Sequence, residues 1–178
     1  MNPFVIADPK NCIGCRTCEI ACVIAHNDVK NYSDLSDVKF VPRIRVIKND
    51  TVSTALLCRH CEDAPCAEVC PNDAIVRENN TIQVKQEKCI GCKTCALACP
   101  YGVMQIVTTK ELVLSPYGIY HEEVKAQAIK CDLCIDRDGG PSCVEVCPTD
   151  ALHLVTADSL DDLMRKRREA AALGRVDL

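Results

Sequence analysis

Aromatic side chains are nearly missing from this 178-residue chain, which has no Trp, two Phe and four Tyr. An interior of packed rings is therefore excluded, and something other than large side chains must fill the middle. No window approaches the roughly 18 uninterrupted apolar residues of a membrane span. The opening MNPFVIADPKNC has neither a basic n-region nor an apolar h-region, so a reducing cytoplasm is expected rather than secretion. A basic excess is also lacking: the formal charge of −4 offers no field for nucleic acid. There is no GxGxxG fingerprint and no phosphate-gripping P-loop. His26, His60, His121 and His153 have no metal spacing among them, and lone histidines of this kind read as ordinary surface or core. No catalytic residue is expected.

What the chain has instead is cysteine, 16 in all. In a reducing compartment such cysteines bind metal rather than pair as disulfides. Residues 89–100 read CIGCKTCALACP, the Cys-x₂-Cys-x₂-Cys-x₃-Cys-Pro run of a bacterial 4Fe-4S site. Its first three cysteines reach three corners of one iron-sulfur cube. Cys99 lies one helical turn, about 5.4 Å, beyond Cys95 and is better placed to ligate a neighbouring cube, so this one motif demands a second cluster. Structural zinc also takes Cys-x₂-Cys pairs in sets of four, but the third close cysteine and the terminal Cys-Pro are not how zinc ribbons are built.

The motif recurs as an internal repeat. The four units are Cys12, Cys15, Cys18 and Cys22; Cys58, Cys61, Cys66 and Cys70; Cys89, Cys92, Cys95 and Cys99; and Cys131, Cys134, Cys143 and Cys147. Pro follows the last cysteine in every unit but the first, where Val23 lets the helix run on to His26. Crossed ligation carried through all four units gives one cube to Cys12, Cys15, Cys18 and Cys147, and its partner to Cys131, Cys134, Cys143 and Cys22. A third falls to Cys58, Cys61, Cys66 and Cys99, and the fourth to Cys89, Cys92, Cys95 and Cys70. Four thiolate-bound cubes would add about eight negative charges, a further argument against nucleic acid.

The fold class this implies is α+β: two ferredoxin-like lobes of short hairpins and short helices around iron-sulfur clusters, plus a C-terminal helix. Residues 1–57 and 110–158 form an outer lobe, residues 58–109 an inner one inserted into it, and residues 159–178 a helical tail. Strands are expected over residues 4–7 and 40–47, and a hairpin over residues 74–85 around Glu78-Asn79-Asn80. Asn49-Asp50 turns into a strand before Cys58, and Ser115-Pro116-Tyr117-Gly118 turns a hairpin in residues 110–130. In the tail, Ser159 or a nearby Asp caps the helix, Leu160, Leu163, Met164 and Ala171 form an apolar stripe, and Gly174 stops it. The basic run Arg165 to Arg168 reads as a solvated face suited to the helix dipole.

Sites built of Cys alone, with no open coordination position and no organic cofactor motif, pass single electrons. Arg16, Arg59 and Lys93 sit inside ligand loops, whereas the fourth unit carries Asp132 and Asp136. Since reduction adds negative charge, the Cys131-Cys134-Cys143 cube is expected to have the lowest potential.

With these residues placed, the chain resembles the four-cluster ferredoxin-type subunits that accompany molybdopterin enzymes, over residues 1–155. IADPKNCIGCRTCEIAC, CRHCEDAPCAEVCPNDAI and CIGCKTC-x₃-CPYG are most similar to the short soluble members associated with formate dehydrogenase, formate hydrogenlyase and hydrogen-dependent CO₂ reductase. In nitrate reductase subunits a bulky residue replaces one third-unit cysteine and a three-iron cluster results, but here Cys92 is present. The resemblance implies four 4Fe-4S clusters wiring a molybdopterin-dependent formate dehydrogenase-type subunit to a hydrogenase or other acceptor, with a second ferredoxin-like subunit as a further candidate partner. A free-standing polyferredoxin and an accessory protein in formate dehydrogenase or hydrogenase maturation are the alternatives.

Overall fold

The cysteine spacing leaves little room for long elements near the loops, and the computed structural model, which describes residues 1–27, 29, 36 and 38–174, sets four-residue strands and helices of one or two turns around them, with two ten-residue strands and a sixteen-residue helix further off. Each cysteine unit ends in a short helix: α1 (Thr17–Ala25), α2 (Pro65–Glu68), α3 (Thr94–Ala98) and α4 (Ser142–Glu145). The longest, α1, is the one with no Pro behind its last cysteine, and it runs on to Ala25 with His26 as its C-cap.

Among the described residues, four two-stranded antiparallel ribbons lie between or beside the units. β1 (Phe4–Ala7) pairs with β8 (Leu152–Val155), which closes the first unit on the fourth. The same closure brings α1 onto α4, where the Ser142 hydroxyl donates to the Ala21 carbonyl. β2 (Arg45–Lys48) pairs with β3 (Ser53–Leu56), and β4 (Ile75–Glu78) with β5 (Thr81–Val84). Between β4 and β5, Asn79 and Asn80 both hold positive φ, 49° and 57°, the conformation that makes a two-residue hairpin turn match strand twist. β6 (Gln105–Leu114) and β7 (Tyr120–Ile129) form a hairpin of ten residues a side, longer than the connector expected there.

Two expectations are corrected. The strand expected over residues 40–47 is confined to Arg45–Lys48, because Pro42 has no N–H to give a ladder; Pro42 and Ile44 instead bury completely. The tail helix α5 (Ala157–Ala172) begins before Ser159. Its N-cap is Thr156, whose side chain accepts from the Ser159 amide while the Ser159 hydroxyl accepts from the Thr156 amide, a reciprocal capping box. Leu163 and Met164 of its apolar stripe stay exposed. Gly174 follows at φ 68°, while residues 175–178 of the expected tail, and positions 28, 30–35 and 37 of the first connector, lie outside the described residues.

The apolar interior falls into two clusters, and cysteines are members of both. One gathers Val5, Ile44, Val46, Leu57, Val103 and Leu152 around Cys18, Cys22, Cys58, Cys131 and Cys143. The other gathers Ala64, Ile75, Ile82, Met104 and Ala128 around Cys95. Each buried Val, Ile or Leu contributes roughly 1.5–3 kcal/mol, and buried cysteines make up much of the rest of these clusters.

The third cysteine loop rests directly on β7. A Cβ on Gly91 would lie 2.5 Å from Cβ of Ala126 and 2.6 Å from its carbonyl oxygen, whereas one on Gly102, also at positive φ, would meet nothing. Alanine at either position is expected to cost about 1–2 kcal/mol of left-handed backbone strain, and Gly91→Ala roughly 1–3 kcal/mol more for overpacking. Anaerobic thermal denaturation should therefore rank Gly91→Ala well below Gly102→Ala; equal melting temperatures would show that the loop does not lean on β7.

Candidate metal centres

Turn chemistry sets where the thiols point. In the first and third units the residues just before α1 and α3, Arg16 and Lys93, are left-handed at φ 63° and 72°, and in the fourth Leu133 and Cys134 are so at 63° and 50°. Successive residues of this kind turn backbone N–H groups toward a common concavity. After each Cys-Pro the chain makes the same turn: the amides of Asp73, Gly102 and Asp150 donate to the carbonyls of Cys70, Cys99 and Cys147 at 3.4, 3.2 and 3.3 Å. One residue later the amides of Ala74 and Ala151 donate to the Cys70 and Cys147 sulfurs, both at 3.3 Å. Cys22 has no Pro turn behind it and takes the corresponding bond from the Arg43 amide, at 3.3 Å.

These loops enclose cavities. One is lined by Cys58, Cys61, Cys66 and Cys99 with Ala64, Ile82 and Met104. A second is lined by Cys70, Cys89, Cys92 and Cys95. A third is lined by Cys12, Cys15, Cys18 and Cys147. Cys22, Cys131 and Cys143 bury in one cluster, with Cys134 near enough for its charge, like that of Cys22, to oppose ionisation of Cys143. All sixteen cysteines are unbridged.

The donor chemistry suits a bound iron-sulfur group. Burial pushes the thiol of Cys143 up to about 12, with Cys22 and Cys134 adding to it. Burial likewise drives Cys18 to about 12 and Cys66 to about 11. Buried thiolates crowded together need cations, and iron provides them. At the periphery the balance reverses: hydroxyl and amide bonds from Thr17 and Thr94 pull Cys15 and Cys92 down. Their Thr hydroxyls lie 3.3 and 3.2 Å from sulfur. Further donors to sulfur come from the His60 amide to Cys58 at 3.4 Å and the Ala128 amide to Cys89 at 3.5 Å. Such bonds to the ligating sulfurs are one of the protein's means of setting a cluster's potential.

Three residues beside the fourth unit were not legible as a group from spacing. Nδ1 of His26 lies 2.7 Å from the Cys22 carbonyl and Nε2 lies 3.0 Å from Oδ1 of Asp132. Both partners are acceptors, so both ring nitrogens carry protons. Burial opposes this, but the bonds to Asp132 and Cys22 prevail and raise His26 to about 10. The Arg43 guanidinium binds the other oxygen of Asp132. Burial would raise the Asp132 carboxyl, yet His26 and Arg43 hold it well below the usual carboxylate range. The expected low potential of the Cys131-Cys134-Cys143 cube loses one of its two premises, because Asp132 sits between two cations, while Asp136 remains at an exposed position. The only advance signal was that His26 falls one helical turn beyond Cys22. Arg59 is also engaged, stacked over the rings of Phe4 and Tyr101 at 5.3 and 5.9 Å.

Cysteine loops of this spacing around apolar cavities define a ferredoxin-type iron-sulfur protein. Residues 50–157 match the 4Fe-4S dicluster domain family and residues 9–22 a 4Fe-4S binding domain; the chain belongs to the 4Fe-4S dicluster family, and 4Fe-4S clusters are its cofactors. It is 50% identical over 173 residues to electron transport protein HydN of Escherichia coli K12, covering 97% of this chain and 99% of that one. It is 38% identical to formate hydrogenlyase subunit 2 of the same organism, covering 95% of this chain and 89% of that one. The chain is thus an iron-sulfur protein homologous to electron-transport proteins. Among the described residues no helix is long and apolar enough to cross a membrane.

Asp132→Asn is expected to destabilise the folded protein by roughly 1–3 kcal/mol, less than the full cost of breaking a buried pair because Arg43 is partly exposed. Asp136→Asn, at an exposed position, should stay within about 0.5 kcal/mol. Anaerobic denaturant titration compares the two, and equal losses would mean that Asp132 clamps nothing.

Proposed function

We propose that the chain is an electron-transfer subunit carrying single electrons through four 4Fe-4S clusters, two in an outer lobe (residues 1–57 and 110–158) and two in an inner lobe (residues 58–109). The observation that carries this reading is the gathering of sixteen cysteines from distant units into quartets, each drawing its fourth member from another unit. Cys12, Cys15, Cys18 and Cys147 hold one cluster; Cys131, Cys134, Cys143 and Cys22 the second; Cys58, Cys61, Cys66 and Cys99 the third; Cys89, Cys92, Cys95 and Cys70 the fourth. These residues bind and orient the clusters, and the clusters supply the one-electron chemistry.

Exposure suggests the order. Cys15 and Cys92, at equivalent places in the two CIGC loops, are the exposed cysteines, and exposed apolar residues lie near each in the chain: Ile13 and Ile20 for one, Ile90 and Leu97 for the other, Leu97 being 89% exposed. Three of the four cysteines of the Cys131, Cys134, Cys143 and Cys22 quartet are buried, and neither it nor the Cys58, Cys61, Cys66 and Cys99 quartet has an exposed member. Electrons would come in at one CIGC end, cross the two interior clusters and leave at the other. Homology to formate hydrogenlyase subunit 2 supports a formate-linked complex. A molybdopterin-dependent formate dehydrogenase-type subunit would stand at one end, and a hydrogenase, a second ferredoxin-like subunit or another acceptor at the other. The near full-length match to HydN, named a transport protein rather than a subunit, favours a free-standing carrier as the second reading.

Anaerobically purified chain is expected to hold about sixteen iron and as many acid-labile sulfides, four cubes' worth. Native affinity capture should bring down a molybdopterin enzyme if the chain is a subunit and nothing if it is a free carrier. Crossed ligation has its own test. Cys99→Ala should perturb the same electron paramagnetic resonance signal as Cys58→Ala, and a different one from Cys92→Ala. A Cys99 variant that alters the Cys92 signal instead would overturn the crossed assignment.

A further inference from the structure

Between the two interior quartets lies a buried cation that the ligand sets do not use. Lys130 directly precedes Cys131, is only 4% exposed, and lines the cavity of Cys58, Cys61, Cys66 and Cys99. Its ammonium donates to the carbonyls of Ile82 and Cys131, the latter at 2.9 Å. No carboxylate pairs with it among the described residues; nearby Asp132 is held by Arg43 and His26. An ammonium taken out of water without an anion is costly, and carbonyl dipoles compensate only in part.

A second polar group at the same junction lacks a hydrogen-bond partner. His60 is 1% exposed and its Nδ1 accepts from the Ile82 amide at 3.0 Å, which places the ring proton on Nε2, and that nitrogen has no partner among the described residues. Lys130 and His60 meet on β5 through Ile82, one at its carbonyl and one at its amide. Lys130 also acts electrostatically on Cys61 and Cys66 on one side and Cys131 on the other. Clusters held by the two flanking quartets would supply the anion missing from this junction.

We propose that Lys130 is a potential-setting residue shared by the two interior clusters. Its charge stabilises the reduced, more negative state of each, so an electron crossing between the lobes finds both sites raised together rather than one raised above the other. The electron moves from one cluster to the next with no bond made or broken and no proton transferred. The proposal rests on the four-cluster reading, whose own failure would show separately as a wild-type iron count well below sixteen.

The test uses the full chain, purified anaerobically, with Lys130→Met and Lys130→Arg beside the wild type. Iron and sulfide are counted first, and midpoint potentials are then followed by paramagnetic resonance. Lys130→Met is expected to keep its iron and lower two of the four potentials, each by at least a tenfold change in the reduction equilibrium, 59 mV for a one-electron couple. Lys130→Arg should restore both. Unchanged potentials, or four that fall alike, would overturn the assignment. If Met loses clusters, Lys130→Gln keeps a donor for the two carbonyls without the charge, and the same outcomes decide. Loss of clusters in both neutral variants but not in Arg would make the role structural and end the proposal.

Discussion

Everything in this molecule depends on the mutual repulsion of buried thiolates and on the cations that overcome it. Cys18, Cys66 and Cys143 sit where burial holds thiols protonated, so a metal-free interior would be a set of weakly acidic, poorly packed cavities. Iron turns the same side chains into cross-links. A chain with two Phe and no Trp has few other means of ordering its interior, and the short strands and one-turn helices are consistent with elements held at their ends rather than by their faces.

The surroundings of the cysteines divide accordingly. Peripheral sulfurs take hydroxyl donors from Thr17 and Thr94, groups that favour thiolate without adding charge. Interior ones lie near full charges: Glu19, buried beside Cys18 and accepting the Val46 amide at 2.8 Å, and the Asp132 cluster and Lys130 near the fourth unit. On the proposed four-cluster reading, this grading gives the centres different surroundings without any change of ligand type.

Much of this was legible in the sequence, because cysteine spacing is a local code. The four units, the absent Pro after Cys22 and the hairpin at Asn79-Asn80 each follow from a few adjacent residues. The residues that were missed depend on contacts far along the chain. Asp132 looked like free negative charge until the fold brought Arg43 and His26 to it, across 89 and 106 residues. Lys130 was one lysine among many until β5 closed over it. Thr156 was missed for a different reason: Ser159 offered an equally good cap three residues on, and only the extended backbone at Thr156 decides between them.

The pairing of β1 with β8 joins nearly opposite ends of the polypeptide. On the crossed assignment the second and third units complete each other within some forty residues, whereas the first must wait for Cys147. A ribosome would therefore release a finished inner pair of sites well before the outer pair has its full complement of sulfur. For much of its synthesis the amino-terminal loop would stand open to oxygen and stray metals.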